Sequence, residues 1–304
     1  MGNITSSFVF YPPEVNDKLD FTFKTKIIKI KTNTKKNIEA FYFQTKDTKK
    51  HILYSHANAC DIRQTYDFIE KLHLYLNINI LLYEYIGYGK NQEKYLLKEI
   101  DTKEKDISSY KSTEDTIYES ADAAMNFLLN EKKINLSDII IMGTSIGTGP
   151  AIYLASKYSG LNGLILETPF LSIMKILPYT NIISYIYDMF ENFKKIKNVT
   201  CDVLIIHGDK DEVIPVGHSI LLHEEIKDIC NIIIVKGGRH DNVRTSMGNN
   251  EQNQPKYLLT IKKFIEDHKN VNNINKKFSI KIDDINTIKK RNINNESIEN
   301  DEKK

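Results

Sequence analysis

Short, strongly apolar runs alternate along this chain with longer amphipathic segments, and this alternation limits the fold more than any other feature. Strands that are buried on both faces of a parallel sheet read as continuous apolar runs. Two such runs extend from Ile139 to Met142 and from Val203 to Ile206. The sequence therefore predicts an α/β fold, in which helices flank a mostly parallel central sheet.

The pattern predicts eight strands and five long helices. The strands are expected at roughly 21–31, 38–45, 51–55, 78–84, 138–142, 162–167, 202–206 and 231–235. The helices are expected at roughly 61–76, 113–132, 147–158, 216–227 and 254–267. Because no helical segment separates the first two strands, we expect them to form an antiparallel hairpin that leads into the parallel part.

The length of the chain suits one domain with short additions at both ends. With 304 residues, of which 41% are hydrophobic, the chain can bury one substantial core. We assign residues 21–268 to a single α/β domain and residues 1–20 to an N-terminal segment. Residues 269–304 consist mainly of Asn, Lys, Asp and Glu with scattered Ile, a composition typical of disordered, low-complexity tails.

Charge and cysteine content argue against several classes of protein. The formal net charge of +2 gives no reason to expect a nucleic-acid partner, and no nucleic-acid motif is present. Cys60, Cys201 and Cys230 are odd in number and widely spaced, so neither a disulfide framework nor a metal site is predicted. The sequence has neither a secretory signal nor an apolar run of roughly 18 residues, and we expect a cytoplasmic protein.

A pentapeptide directly after the fifth predicted strand reads Gly143-Thr144-Ser145-Ile146-Gly147. It matches the G-x-S-x-G pattern, in which a serine lies on a tight turn between a strand and a helix. Such a turn leaves no room for a Cβ atom at either glycine, and it projects the serine hydroxyl into the cleft beyond the sheet. Ser145 is therefore the candidate nucleophile.

A serine nucleophile needs a base, and the base needs an orienting carboxylate. When such a serine turn lies in an α/β fold of this kind, the three follow one another along the chain as Ser, acid and His. Asp209 and Asp211 both lie in the loop after the seventh strand. We favour Asp211, in part because of the family resemblance described below, and interpret Asp209 as a turn residue that caps local amides. His240 follows the eighth strand and is the candidate base, whereas His207 beside the acid loop is interpreted as structural.

A tetrahedral intermediate also needs two backbone N–H donors for its oxyanion. Ile146 directly follows the nucleophile at the positive end of its helix, so its amide is the first candidate. The second candidate is the amide of Asn58, in the loop that follows the third strand. Cys60 in the same loop has no indicated base partner and is interpreted as a packed thiol.

These segments resemble the α/β-hydrolase domain-containing 17 branch of the α/β-hydrolases over roughly residues 35–268. The resemblance is carried by Ser55-His56-Ala57-Asn58-Ala59-Cys60-Asp61, Tyr83-Glu84-Tyr85-Ile86-Gly87-Tyr88-Gly89, Gly143 to Thr148, Leu204 to Gly208, Asp211 to Ile214 and Gly238-Arg239-His240-Asp241. Characterised members of this branch remove palmitate from cysteines of membrane-bound proteins. The resemblance implies an α/β-hydrolase fold with a small cap insertion and palmitoyl-protein thioesterase activity.

Three departures from the pattern of this branch bear on function. Ala57 stands where a glycine is usual, which alters how the loop approaches the substrate carbonyl. Arg239 stands where a glycine is usual and places a cation beside His240. The N-terminal cysteine cluster that serves the branch as a palmitoylation anchor is absent from this sequence.

The N-terminal residues Met1-Gly2-Asn3-Ile4-Thr5-Ser6 fit the pattern for myristoylation of Gly2. An ordinary frayed N-terminus is the alternative interpretation. A single myristoyl chain anchors only marginally, and the basic residues from Lys24 to Lys36 offer a second contact, although they also read as the polar face of an ordinary strand. Myristoylation would place the protein peripherally on the cytosolic face of a membrane, with the plasma membrane expected.

The predicted reaction is two-step acyl transfer from an acylated protein or a lipid ester, and it requires no metal or organic cofactor. A lysophospholipase or monoacylglycerol-type lipase is the alternative enzyme, and a catalytically silent binding module is the alternative outside enzymes. Residues 170–193 are rich in apolar side chains. They either line a groove for the acyl chain or pack as a helix against the sheet.

Overall fold

The computed structural model describes residues 9–16, 23–92, 95, 110–176, 188–250 and 252–267, and within them it contains one sheet of eight strands. The strands are β1 (Ile27–Lys31), β2 (Asn37–Phe43), β3 (His51–Ser55), β4 (Asn79–Tyr83), β5 (Ile139–Thr144), β6 (Gly163–Glu167), β7 (Val203–Gly208) and β8 (Cys230–Val235). Their order is β1-β2-β4-β3-β5-β6-β7-β8. β2 pairs antiparallel with β1 and with β4, and the remaining pairs are parallel. The predicted hairpin and mostly parallel sheet are confirmed.

The strand residues alternate between two separate hydrophobic cores, one on each face of the sheet. In β5, Ile139 and Ile141 belong to one core, whereas Ile140 and Met142 belong to the other. All four side chains are fully buried. Successive side chains of a strand point to opposite faces, so two covered faces require apolar residues at every position. This requirement explains the continuous apolar runs in the sequence.

Helices cover both faces of the sheet. They are α1 (Ile62–Leu76), α2 (Glu114–Asn126), α3 (Thr148–Lys157), α4 (Ile173–Ile176), α5 (Asn192–Lys195), α6 (Gly217–Glu225), α7 (Val243–Ser246) and α8 (Lys256–Glu266). The buried residues of α1 and α8 join one core, and those of α2 and α3 join the other. None of the described helices combines the length and apolar character that a membrane crossing requires.

The first strand is shorter than predicted, because tertiary contacts hold the residues before it. The strand was expected from residue 21, but it begins at Ile27. The backbone N–H groups of Lys24 and Thr25 each donate to the Tyr66 hydroxyl at 3.1 Å. The Phe23 ring packs against the same tyrosine, with ring centroids 4.4 Å apart. This short stretch therefore contacts α1 mainly through Tyr66, with an added ion pair between Lys24 and Glu70.

A segment near the N-terminus crosses the domain close to the carboxyl ends of the strands. Residues 9–16, here called the strap, contact the loop after β3 and the residues that follow β4. The Phe10 side chain is buried in the core shared with α2 and α3. The candidate lipidation site Gly2, the tail 269–304 and residues 177–187 of the apolar segment lie outside the described residues.

Candidate active site

The turn at Ser145 has the geometry that the pentapeptide predicts. Ser145 follows β5 directly and has a backbone φ of 54°, which is the left-handed region that side chains disfavour. A Cβ atom at Gly143 would lie 2.3 Å from the Gly147 carbonyl oxygen, and one at Gly147 would lie 2.2 Å from the Ser55 carbonyl oxygen. Since both contacts are with backbone, only glycine fits at these two positions.

Three predicted residues from separate loops form a continuous chain of hydrogen bonds. The Ser145 Oγ lies 3.1 Å from His240 Nε2, and His240 Nδ1 lies 2.8 Å from Asp211 Oδ2. The carboxylate can only accept at neutral pH, so Nδ1–H donates to it and Nε2 is left to accept the serine proton. The arrangement is that of a nucleophile, a base and an orienting acid.

Backbone and side-chain donors converge on Asp211. Its Oδ1 accepts from the amides of Val213 at 2.9 Å and Ile214 at 2.8 Å. Its Oδ2 also lies 3.2 Å from His207 Nε2. Burial alone would raise the pKa of Asp211, but hydrogen bonds from His207 and His240 hold it well below its usual range. The acid therefore stays ionised across the neutral range.

His207 contributes more to the site than the sequence analysis expected. It is fully buried in β7, its Nδ1 lies 2.6 Å from Ser219 Oγ, and its Nε2 lies 2.8 Å from the Ile214 carbonyl oxygen. The ring thus supports both the acid and the loop that presents it. The one available signal was its position four residues before Asp211, at the end of a buried strand.

Asp209, the other candidate acid, and Arg239, the cation beside His240, each have a local partner. Asp209 Oδ1 accepts from the Gly237 amide at 2.6 Å, which ties the loop after β7 to the loop after β8. The side chain of Arg239 forms an exposed ion pair with Glu212, with 2.6 Å between Nη2 and Oε1. The cation beside His240 is therefore partly neutralised by this carboxylate.

A buried ion pair supports the loop after β3, which holds the candidate oxyanion donor Asn58. His56 Nε2 lies 2.8 Å from Glu84 Oε1, and both side chains are fully buried. The His56 ring stacks on Tyr85 with a centroid distance of 4.0 Å. Although burial lowers it, the adjacent Glu84 carboxylate raises the pKa of His56 to about 10. The Glu84 Oε2 also accepts from the Ile62 amide at 3.1 Å, which joins this loop to α1.

The two candidate oxyanion donors lie on elements that touch each other. Ile146 belongs to the helical turn Ser145–Gly147 that runs into α3. The backbone of Ser55 and His56 contacts Gly147 in that turn. Asn58 follows two residues later, and its side chain bonds to the strap. Folding therefore brings the loop after β3 against the turn that carries Ser145.

A second, largely buried ion pair joins the end of β6 to α7. Glu167 accepts from Arg244 Nε at 3.0 and 2.9 Å with its two carboxylate oxygens. The hydroxyl of Tyr257 also donates to Glu167. The guanidinium carbon of Arg244 lies 3.6 Å from the centroid of the Phe68 ring on α1. Sequence reasoning missed this group, because its members are far apart along the chain.

The same arginine connects the base loop to the nucleophile turn. Arg244 Nη2 donates to the Tyr54 hydroxyl at 3.0 Å and to Thr144 Oγ1 at 3.2 Å. Thr144 precedes Ser145, and Arg244 lies four residues after His240. The network therefore connects the loop that carries the candidate base to the turn that carries the candidate nucleophile.

Part of the apolar segment 170–193 packs as core. Phe170 and Phe190 are buried, with ring centroids 6.0 Å apart in an edge contact. Phe190 also packs on Gly149 at the start of α3, where a Cβ atom would lie 2.4 Å from its ring. Both ends of the segment therefore pack against the domain beside α3, the helix that follows the turn at Ser145.

Comparison with known proteins agrees with this architecture. No family model matches the chain. It is 32% identical over 214 residues to the α/β hydrolase domain-containing protein 17C of Mus musculus, which covers 70% of this chain and 59% of that protein. It is 33% identical over 219 residues to protein 17B of Homo sapiens, with 72% and 67% covered. The chain spans about three fifths of the length of the 17C relative.

Solved structures show the same fold at low sequence identity. An esterase of Pyrococcus furiosus superposes with a TM-score of 0.62 and 15% identity, over 85% of this chain and 96% of that one. An α/β serine hydrolase homologue from Coxiella burnetii gives a TM-score of 0.56 and 14% identity, over 81% and 98%. The fold is thus that of the α/β hydrolases. The sequence matches are more specific, and the chain belongs to the α/β hydrolase domain-containing protein 17 family.

Proposed function

We propose that this chain is a serine hydrolase that cleaves acyl thioesters or esters, with Ser145 as nucleophile, His240 as base and Asp211 as orienting acid. The hydrogen bonds of 3.1 Å between Ser145 and His240 and 2.8 Å between His240 and Asp211 carry this proposal. A left-handed serine on a turn that excludes side chains from its neighbours is consistent with it, because strained residues are typical of active sites.

Each half of the proposed reaction transfers one proton through His240. In acylation, Ser145 Oγ attacks the carbonyl carbon while His240 Nε2 takes its proton. The bond to the leaving sulfur or oxygen then breaks, and that atom receives the proton. In deacylation, water attacks the acyl-serine ester with His240 again as base, which releases the carboxylic acid and restores Ser145. Asp211 stabilises the charged imidazolium in both halves.

The proposed oxyanion donors are the backbone amides of Ile146 and Asn58. Each would donate to the carbonyl oxygen as it becomes negatively charged. The contact between the loop after β3 and Gly147 supports this pairing. Loss of one such donor typically lowers turnover by about 100- to 1,000-fold, so the position of this loop matters to the proposed rate.

Protein-linked palmitate is the proposed substrate, and its cysteine thioester is the bond to be cleaved. This step depends on the resemblance of the loops at Asn58, Ser145 and His240 to the family pattern, together with family membership. Lysolipids and small esters are the competing substrates. The alternative of a silent binding module is disfavoured by the intact hydrogen-bond chain.

The first experiment is labelling of purified protein with a fluorophosphonate probe, with Ser145→Ala as the matched control. The proposal predicts labelling of the wild type, loss of labelling in the variant, and release of palmitate from a thioester-linked peptide. Labelling with cleavage of lysolipids but not of the peptide would contradict the thioesterase assignment. Absence of labelling would contradict hydrolase activity altogether.

We also propose that myristoylation of Gly2 attaches the protein to the cytosolic face of a membrane. The N-terminal pattern supports this proposal, and the exposed lysines from Lys24 to Lys35 supply the second contact. Lys36 is buried and pairs with Glu119, so it does not contribute. In β1 the side chains of Lys29 and Lys31 are exposed. Fractionation of cells that express the wild type or Gly2→Ala provides the test. Equal membrane fractions would remove the claim.

A further inference from the structure

The side chain of Asn58 pairs with the strap as a peptide group would pair with a strand. Its Oδ1 accepts from the Tyr11 amide at 2.9 Å, and its Nδ2 donates to the Val9 carbonyl oxygen at 2.6 Å. The N–H and C=O groups of residues two apart lie on the same edge of an extended chain. One side-chain amide therefore engages both groups of the strap at once.

Further contacts hold this amide in a single orientation. The Tyr88 hydroxyl donates to Asn58 Oδ1 at 2.6 Å, and the amide of Ala59 donates to the same oxygen at 3.1 Å. The orientation of the amide is settled by its partners, because Val9 offers an acceptor and Tyr11 offers a donor. A carboxylate at this position would face the Val9 carbonyl oxygen without a donor between them.

Apolar packing and other hydrogen bonds fix the strap on both sides of Asn58. Phe10 is buried and makes an edge contact with Phe190, with ring centroids 6.1 Å apart. Farther along, the Pro13 carbonyl oxygen accepts from Gln92 Nε2 at 2.7 Å, and the Val15 amide donates to the Tyr95 hydroxyl at 2.9 Å. The strap is therefore attached to the domain independently of the Asn58 loop.

We propose that the strap positions the loop after β3 for acyl transfer, with the Asn58 side chain as the positioning group. This inference rests on the proposed function, in which the backbone amide of the same residue donates to the oxyanion. Because side chain and backbone amide belong to one residue, a displaced side chain shifts the donor. Oxyanion stabilisation depends on donors that are already in place before the reaction.

Two substitutions at Tyr11 distinguish the effect of losing the backbone hydrogen bond from the effect of losing the side chain. Tyr11→Pro removes the N–H that donates to Asn58 Oδ1, whereas Tyr11→Ala keeps it. Both variants remove the side chain of a residue that is 55% exposed. In the full-length protein, we expect Tyr11→Pro to speed amide hydrogen exchange in residues 56–61 by about tenfold over Tyr11→Ala. Equal exchange in the two variants would overturn the proposal.

The activity measurement uses hydrolysis of p-nitrophenyl acetate by the same two variants. Loss of one hydrogen bond of this kind corresponds to a fall of about five- to tenfold, which we expect in kcat rather than in KM for Tyr11→Pro. Asn58→Asp keeps Oδ1 but replaces the Nδ2 donor with a second oxygen, and it is also expected to lower kcat. Unchanged kcat in Tyr11→Pro would overturn the positioning role.

The two measurements distinguish this inference from the function on which it rests. In one outcome, the wild type neither hydrolyses the ester nor reacts with the fluorophosphonate, while the two Tyr11 variants still differ in exchange as expected. This outcome removes the proposed function and leaves the coupling of strap and loop intact. An active wild type whose loop exchange is the same in both Tyr11 variants removes the coupling and leaves the proposed function intact.

Discussion

Replacing Arg244 with Met tests whether the buried ion pair under the nucleophile turn stabilises the domain. Met retains much of the length and apolar surface of the side chain while removing the charge and the donors. Glu167 would then lose the partner at 2.9 Å, and its side chain is only 5% exposed. The hydroxyls of Tyr54 and Tyr257 would remain beside an uncompensated carboxylate.

The expected loss follows from the burial of the two side chains. Removing one partner of a fully buried pair costs about 3–5 kcal/mol. Since the Arg244 side chain is 29% exposed, we take the lower end, about 3 kcal/mol. With a urea slope of about 3 kcal/mol per molar for a domain of this size, the midpoint of unfolding should fall by about 1 M.

A second arginine, five residues earlier, provides the matched control. Arg239 pairs with Glu212, but their side chains are 58% and 47% exposed. Exposed pairs contribute little to stability, so Arg239→Met should unfold near the wild-type urea concentration. Urea unfolding followed by far-UV circular dichroism compares the two variants. Equal midpoints would refute the reasoning, and Arg244→Met with Glu167→Gln should recover part of the loss because no charge is left unpaired.

Three further predictions concern single residues near the candidate site. Ser145→Gly should have a free energy of unfolding about 0.5 kcal/mol higher than Ser145→Ala, and so a higher urea midpoint, because glycine accepts a φ of 54° without strain; equal midpoints would argue against strain. The pKa of His56, raised to about 10 by Glu84, makes this pair stabilise the fold fully below pH about 6.5 and progressively less up to pH about 10; His56→Gln should abolish that slope in urea midpoints at pH 6 and pH 10. Gly147→Ala should slow fluorophosphonate labelling about tenfold or more, because its Cβ would lie 2.2 Å from the Ser55 carbonyl oxygen and displace the loop; wild-type labelling would contradict that.

Features of the fold that depend on local patterns could be predicted from the sequence. The first four residues of β5 and of β7 are all apolar, because both faces of the sheet are covered. The turn at Ser145 needs its two glycines for backbone clearance, so the candidate nucleophile could be identified from five residues. Asp211 and His240 could be predicted as partners of Ser145 because they follow strands that end at the same edge of the sheet.

Features that depend on contacts between distant residues were not predicted. Arg244 and Glu167 are 77 positions apart, and nothing in either local sequence indicates that they meet. Asn58 and Val9 are 49 positions apart, so the pattern around Asn58 suggested a backbone donor and not a side chain that binds the strap. The start of β1 was misplaced for the same reason, since the Tyr66 hydroxyl binds the residues before it.

The edge strand β1 has a consequence for self-association. It is five residues long, and no strand among the described residues pairs with its outer edge. Such an edge offers backbone groups that can pair with a strand of another molecule. Lys29 and Lys31 alternate with apolar residues and are exposed, so two molecules that approached edge to edge would bring like charges together. Replacing both lysines with threonine should therefore produce concentration-dependent aggregation in light scattering, while the wild type stays disperse. On this reasoning, the same lysines that suggest membrane contact also prevent the sheet from growing between molecules.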